Sequence, residues 1–432
     1  MKREIAMKTG LMSGWNLIGS VISFAFTLLV ANGLGPAGYG LFALTMAVFE
    51  VLLVAFYVFG LAGTKYIAEN GLSSVAKKLI VIEIVIGIVL AVIVFVCADS
   101  IAAWLGKPIA GYLRIVAAAL LVRPFYETIR SVYLGVKKMR WYVAVEAVTF
   151  TGKLALAAIA LFLGLGIGGV LWGYIAAMAL AVVVSLWGLK GKLKKSGVFG
   201  TRPLAAYAFR STIYLAFLAV YGQLIFYLMG PLLAAEEIGK FSLLFKIIAT
   251  GITVVPASVG LVLFPYFSQL NNDTAKTEKL LSSSLSVEAA IALVTSLAMF
   301  VFLGPFINVF FPSYSDGLVI APFLIVGSFL LVISSTVDSF IRGRAAFGMG
   351  TISMALAIAI LLAAGPVLIS SHGIVGAAVT WLLGSIAMNG SFLFQIIRRY
   401  RLRFDYEAIR YAFTVLRNPG ALVSKAANRQ TC

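Results

Sequence analysis

Runs of about 20 predominantly apolar residues, the length a helix needs to cross roughly 30 Å of hydrocarbon, recur along the whole chain. The first reads "LMSGWNLIGSVISFAFTLLVA" over residues 11–31, and the last ends near residue 397. Membrane-spanning strands would alternate apolar and polar over about ten residues, and these segments do not. Charge content points the same way. Of 432 residues, 12% are charged and 62% hydrophobic, against roughly 25% and 45–50% in soluble domains. The sequence therefore predicts an all-α polytopic membrane protein. Its spans fall near 11–31, 40–61, 77–98, 112–134, 142–163, 168–189, 207–230, 241–263, 281–303, 318–340, 349–370 and 373–397.

The opening "MKREIAMK" and its apolar sequel look superficially like a secretion signal. The apolar part exceeds the roughly 7–15 residues of a cleavable signal, so it reads as a retained first span. Twelve spans put both termini on one side, and cytoplasmic loops carry excess Lys and Arg. Counting Lys77 and Lys78, at the very start of span three, with the loop before it, the termini and even-numbered loops hold 26 of the 34 Lys and Arg residues. The opposite loops hold two, Lys107 and Lys240, and six fall within spans. Both ends are expected in the cytoplasm of a plasma-membrane protein. The net charge of +18 then reads as attraction to anionic lipid and does not call for nucleic acid.

Two Gly-rich restarts answer each other across the chain. Gly40-Leu41-Phe42-Ala43-Leu44 matches Gly239-Lys240-Phe241-Ser242-Leu243 at an offset of 199, counted along the sequence. Gly166-Ile167-Gly168-Gly169 matches Gly373-Ile374-Val375-Gly376 at 207, and basic turns "LGVKKMR" and "IRGRAAF" follow the fourth span of each half. Offsets this close imply two six-helix units, entered from the same side because six is even. The expectation is two pseudo-symmetric six-helix bundles around a central cavity. The bundles cover residues 1–189 and 207–397, with a basic linker at 190–206 and a basic tail at 398–432. In the tail, Tyr406, Ile409, Phe413 and Leu416 follow helical spacing, as in an interfacial helix; a solvated basic tail is the alternative.

The stretch "LGPAGYGLFAL" after span one, the twelve spans and the 6 + 6 duplication resemble the multidrug/oligosaccharidyl-lipid/polysaccharide exporter superfamily, over roughly residues 8–397. The likeness is strongest to its polysaccharide transport branch, which includes O-antigen and oligosaccharide flippases. The resemblance implies two bundles in a V around a central cavity. It also implies movement of a polyprenyl-diphosphate-linked sugar from the cytoplasmic to the outer leaflet. Lipid-linked oligosaccharide and membrane lipids are then the expected partners, with glycan-assembly proteins as further candidates and a monomer sufficient for function.

Ionisable residues inside spans are costly and face protein or water. Arg123, Glu127 and Arg130 lie at i, i+4 and i+7 on one face of span four, and Glu146 and Lys153 share a face of span five. Two readings stand, a buried ion-pair network or cationic side chains free to hold a diphosphate, for which guanidinium is suited by its paired donors; both can hold, with the acids orienting the arginines until substrate arrives. Lys246 in span eight has no carboxylate within one turn downstream and is the leading candidate for a phosphate contact from the second half, with snorkelling toward the outer interface as the alternative. Arg210, near the inner end of span seven, is either an anchor or a cavity residue. Glu50 in span two pairs across helices or carries a proton, whereas Glu83 and Glu288 lie nearer the cytoplasmic ends and are weaker candidates. Tyr214 and Tyr221, seven apart in span seven beside Gln223 and Tyr227, are candidates for sugar contacts or for packing. Pro124, Pro256 and Pro265 are expected bending points.

The sequence lacks GxxxxGK[ST], HExxH and GxSxG patterns and has one His and two distant Cys. No catalytic residue, metal site or cofactor is expected, and an enzyme is disfavoured. The rival transporter is a cation-coupled multidrug or metabolite exporter of the same superfamily. It would want acidic determinants, and span one contains no carboxylate.

Overall fold

The computed structural model describes residues 2–70, 72–189, 201–270, 273–344 and 346–417. Eleven α-helices and one 3-10 helix account for nearly all of them, and no strand occurs among the described residues. In order these are α1 (Lys2–Asn70), α2 (Leu72–Leu105), α3 (Ala110–Gly135), α4 (Met139–Phe162), α5 (Gly166–Leu189) and α6 (Thr201–Leu232). There follow α7 (Ala235–Gln269), α8 (Thr274–Phe310), a 3-10 helix (Pro312–Ile320), α9 (Ala321–Arg344), α10 (Phe347–Ile397) and α11 (Tyr406–Arg417). Helix is the form that satisfies every backbone polar group within its own segment, which hydrocarbon demands. Hydroxyls inside these helices follow the same rule. Those of Thr27, Thr45 and Ser242 donate to the carbonyls of Ser23, Leu41 and Ile238 at 3.1, 2.8 and 2.7 Å.

Eight of the helical stretches are long and apolar enough to cross a membrane. Two of the eight, α1 and α10, are each interrupted by one glycine outside helical geometry: Gly35 (φ 67°, ψ 174°) and Gly373 (φ 57°, ψ −134°). The sequence places its first loop between residues 31 and 40 and its last near 373, so both breaks fall where a restart is expected. Gly166, at the start of α5, also has positive φ, 58°. The second sequence repeat thus pairs two glycines with nearly the same left-handed φ, a backbone state that costs glycine little. Helix α3 is outside the eight; Arg123, Glu127 and Arg130 crowd its centre. The expected linker at 190–206 is shorter on its described side, since α6 already begins at Thr201. Residues 190–200 lie outside the described residues.

One large apolar cluster joins helices from both ends of the chain, with Leu44, Phe49, Phe56, Leu113, Phe241, Ile248 and Leu324 among its fully buried members. Other faces stay bare. On α2, Val81, Val85, Ile88, Val92, Phe95 and Val96 are all exposed, Val96 by 71%. That stripe recurs at helical spacing, and lipid is the solvent that makes it inexpensive.

Helix α1 packs on α6 and α7, tying the N-terminal to the C-terminal part of the chain. The first sequence repeat lies in this contact. A Cβ on Gly40 would stand 1.9 Å from the Ala235 carbonyl oxygen, and one on Gly239 would stand 1.8 Å from that of Pro36. Each copy of the Gly-x-Phe restart presses its glycine against the backbone entering the other copy. Nearby, the Tyr314 hydroxyl donates to the Ala31 carbonyl at 2.7 Å. Lys240 joins Glu236 and Asp316, each at 2.6 Å. Farther along α1, Arg342 of α9 reaches the Tyr57 hydroxyl at 3.5 Å.

Candidate functional site

Between the two parts of the chain lies a cavity of about 320 Å³. Its wall draws on α1 (Ser23, Thr27, Glu50), α4 (Lys153), α5 (Tyr174), α6 (Gln223) and α7 (Lys246). Lys153 donates to the Ser23 hydroxyl at 2.9 Å. Its ammonium sits 4.4 Å from the ring centre of Phe150 and 5.1 Å from that of Phe26, so aromatic faces supply part of the stabilisation water would give. Lys246 is exposed to the cavity and has no ion-pair partner among the described residues. Glu50, across from them, accepts a 2.5 Å hydrogen bond from Gln223 Nε2. One turn along α1, Tyr227 donates to the Ala47 carbonyl at 2.9 Å. These two bonds strap α1 to α6.

The lining therefore carries two lysines and one carboxylate. Aromatic rings of Phe26, Tyr39, Phe42, Phe226 and Phe245 complete it. A semi-polar cavity with excess positive charge and π-faces suits an anionic group attached to a larger polar or apolar body.

The arginines of α3 are elsewhere. Arg123 binds Glu127 at 2.9 Å, and Arg130 binds Glu127 at 3.0 Å and Glu146 of α4 at 2.5 Å. Tyr142 accepts from Arg130 at 3.0 Å, and Tyr126 donates to Glu146 at 3.1 Å. Two guanidiniums face two carboxylates, and none of the four lines the lysine cavity. The four form an ion-pair network that stitches α3 to α4. Glu83 of α2 joins its far side by accepting from Thr128 at 2.7 Å.

Tyr214 and Tyr221 do not line the cavity either. Tyr214 is buried, donates to Asp338 at 2.6 Å and packs on Phe347. Tyr221 is buried beside Ser385, 3.3 Å away. Both look toward α9 and α10, because a seven-residue spacing fixes a shared face without saying which neighbour it meets. The Arg210 side chain lies outside the described residues. Of the sequence candidates, the structure brings Lys153, Lys246 and Glu50 together and adds Gln223, Ser23 and Tyr174. Tyr39 and Phe42 had a signal, since they flank Gly40 inside the repeat; Ser23 and Tyr174 had none. No group of three or more His, Cys, Asp or Glu able to hold a metal occurs among the described residues.

The charged cavity is set among helices of both halves of the chain, and the fold as a whole has counterparts among solved structures. The fold matches an inward-facing multidrug resistance MATE family transporter of the MOP superfamily with a TM-score of 0.75 at 15% identity, covering 88% of this chain and 94% of that one. It matches the lipid II flippase MurJ in an inward closed conformation equally well, with a TM-score of 0.75 at 12% identity, covering 92% and 89%. A third match is a MOP superfamily transporter from Pyrococcus furiosus, whose structure is described as showing reversed polarity of the binding pocket. It gives a TM-score of 0.64 at 15% identity over 90% and 95% of the two chains. No curated protein sequence matches. The polysaccharide biosynthesis protein family matches residues 5–271, well over half of the chain. The chain belongs to that family, and its fold is that of MOP superfamily transporters.

Proposed function

We propose that this protein is a flippase moving a polyprenyl-diphosphate-linked oligosaccharide from the cytoplasmic to the outer leaflet by alternating access, for cell-surface glycan assembly. The observation that carries this reading is the convergence of Lys153 and Lys246, one from each half of the chain, on one cavity with a single carboxylate. The lysines would hold the diphosphate, the aromatic wall and Gln223 would meet sugar, and the lipid tail would stay in the bilayer. Outward movement of a headgroup of about −2 down an inside-negative potential gains roughly 4–5 kcal/mol per 100 mV. A cation-coupled exporter of cationic drugs would want the opposite balance, with carboxylates outnumbering lysines.

The same reading takes α1 and α10 as two spans each and adds α3 and α7, which makes twelve spans in two six-helix bundles. Residues 1–189 and 207–397 are the bundles, both termini are cytoplasmic, the membrane is the plasma membrane, and one copy suffices. The matched φ of Gly166 and Gly373 and the reciprocal approach of Gly40 and Gly239 support the duplication. The arginine network then holds one bundle together, while Lys153 and Lys246 do the binding.

The test is binding of inorganic pyrophosphate and of a polyprenyl-diphosphate sugar to the reconstituted full-length protein, alongside glycan export in cells. A charge-assisted hydrogen bond contributes about 1.5–3 kcal/mol, roughly 10–150-fold in affinity. Lys246→Ala and Lys153→Ala should each weaken binding by that order and stop export at normal protein abundance. Unchanged binding and export in the double variant would remove the anion site.

A further inference from the structure

Beyond the end of α10 at Ile397 the chain stays on the protein and runs along the start of α8. The backbone amides of Arg401, Arg403 and Asp405 donate in turn to the Glu278 carboxylate at 2.9 Å, the Ser282 hydroxyl at 3.1 Å and the Ser286 hydroxyl at 3.0 Å. Every second residue of the tail thus meets every fourth residue of the helix. The match is geometric, since two residues of extended chain advance about 6.6 Å and four of helix about 6 Å. Ser283 donates to Asp405 at 2.5 Å, and the same carboxylate accepts from the Ala408 amide at 2.9 Å, capping α11. Tyr400 and Leu402 pack on the core, the Tyr400 ring meeting that of Phe340 of α9 at 5.6 Å. Arg401, Arg403 and Phe404 are left exposed.

This docking builds an open groove of about 630 Å³ whose wall includes Lys279 of α8 with Arg401, Arg403, Phe404 and Tyr406. None of its three cationic side chains makes an ion pair among the described residues. Its carboxylates are Glu278, Asp405 and Glu407, and the first two already accept from the docked backbone. From Arg398 to Arg410 the tail carries five arginines and two acids. Phe404 and Tyr406 stand 74% and 69% exposed. The bare apolar positions of α8 run from Leu293 to Phe310, about 26 Å of helix, which nearly fills a hydrocarbon core of roughly 30 Å. Ser282 and Ser286, beside Arg403 and Asp405, therefore lie about 10–16 Å past that stripe. This is the level of the lipid headgroups, where aromatic rings and basic side chains are both favoured.

We propose that this groove binds an anionic phospholipid of the leaflet in which the tail lies. Its phosphate is held by Arg403 with Arg401 and Lys279, and its acyl chains enter the bilayer past Phe404 and Tyr406. Guanidinium forks match phosphate oxygens in pairs, and the aromatic side chains find in the interface the solvent that water denies them. Diffuse attraction of a basic surface to anionic lipid adds up charge by charge wherever the charge sits. The groove, by contrast, exists only while the tail is docked. The proposed topology makes the leaflet the cytoplasmic one, and nothing in the site depends on the cargo or on the lysine cavity.

The experiment uses full-length protein in mild detergent, titrated with phosphatidylglycerol or with phosphatidylcholine, and native mass spectrometry counts the lipid retained. Phosphatidylglycerol should bind the more tightly. R401Q/R403Q should weaken it about 25-fold, at about fivefold per charge. K77Q/K78Q, an equal loss of exposed charge at the start of α2, should leave it unchanged. D405A gives the sharpest contrast. It removes a negative charge, so diffuse attraction would strengthen binding, whereas undocking the tail takes the groove apart and binding should fall. Chymotryptic cleavage at Phe404 reports docking, and phosphatidylglycerol should slow it in wild type. If R401Q/R403Q undocks the tail, K279Q, on α8 and outside the docked segment, carries the same test at about fivefold. Equal phosphatidylglycerol binding in wild type, R401Q/R403Q and D405A, or an equal loss in K77Q/K78Q, overturns the site. Displacement of the lipid by an equal concentration of inorganic phosphate assigns the groove to soluble anions and overturns the lipid. Failure of pyrophosphate binding at the lysines would leave these results untouched.

Discussion

Replacing Gly40 by Ala should disable the contact between α1 and α7 without substituting any residue that lines the cavity. The new Cβ would stand 1.9 Å from the Ala235 carbonyl oxygen and 2.9 Å from the Gly239 nitrogen, whereas ordinary contact begins at 3.4 Å. The obstructing atoms belong to backbone, so no rotamer change relieves the clash, and the segments must part by about 1.5 Å, the difference of those distances. Overpacking of this kind costs about 1–3 kcal/mol, which depopulates the close arrangement about 5–150-fold relative to any state in which the segments separate. The assay is a single cysteine at Ala43, which lines the cavity, in a background with Cys97 and Cys432 replaced. A membrane-impermeant thiol reagent is applied to either face of sealed vesicles. Wild type should label poorly from the face nearer Gly40, and Gly40→Ala should label faster there and export less. Gly239→Ala should reproduce the effect, since its Cβ meets the Pro36 carbonyl oxygen at 1.8 Å, and Gly111→Ala should do nothing because that site has open space. Unchanged labelling and export in both Gly40→Ala and Gly239→Ala would refute the idea that this approach closes the cavity.

Arg130→Ala should behave unlike either lysine variant. It leaves Glu127 and Glu146 buried and facing each other with Arg123 alone to answer them. Breaking a buried pair in this way costs about 3–5 kcal/mol, so membrane abundance and thermal unfolding in detergent should both fall. Wild-type stability would mean that the network is not structural. The tail makes a pH-dependent prediction. Asp405 accepts from the Ser283 hydroxyl at 2.5 Å and from the Ala408 amide at 2.9 Å, and these bonds hold its carboxyl below the usual range. A depressed folded value means the docking of residues 400–405 on α8 is at full strength above the ordinary carboxylate range and is lost as pH falls through the lowered one. Limited proteolysis between Arg398 and Arg410 should therefore accelerate at acid pH, and Asp405→Ala should be cleaved fast at every pH. Equal cleavage of wild type and variant at neutral pH would count against a docked tail.

What could be read from sequence followed how local each signal is. The breaks at Gly35 and Gly373 were legible because a glycine that interrupts an apolar run leaves a backbone signature of its own. For Lys246 the sequence showed that nothing acidic stands within a turn of it, which leaves an unmatched lysine either a wet cavity or the membrane interface. Only the packing of α7 against α1 places it at the cavity. The arginines were harder. Their i, i+4, i+7 spacing with Glu127 fixed a common face, but the partner that completes the match, Glu146, comes from another helix. Whether Arg130 was free or satisfied depended on how α3 and α4 rotate against each other. The same limit explains Tyr214 and Tyr221, whose heptad spacing describes a face equally well whether it meets sugar or Asp338 and Ser385.

The duplicated Gly-x-Phe signal connects the two scales. As sequence it is a loop and restart, and in the fold its two copies meet each other at glycine. Tyr39 and Phe42, which flank the first of these glycines, line the cavity, as do Ser242 and Phe245 just beyond the second. A few residues along each helix stand Glu50 and Lys246. Any movement that parts Gly40 from Gly239 must therefore rearrange the wall carrying the charges, because rigid helices link the two within about two to three turns. Coupling between closure at one end and the electrostatics of the cavity is thus a consequence of where the repeat was placed. A separate signalling path is not required.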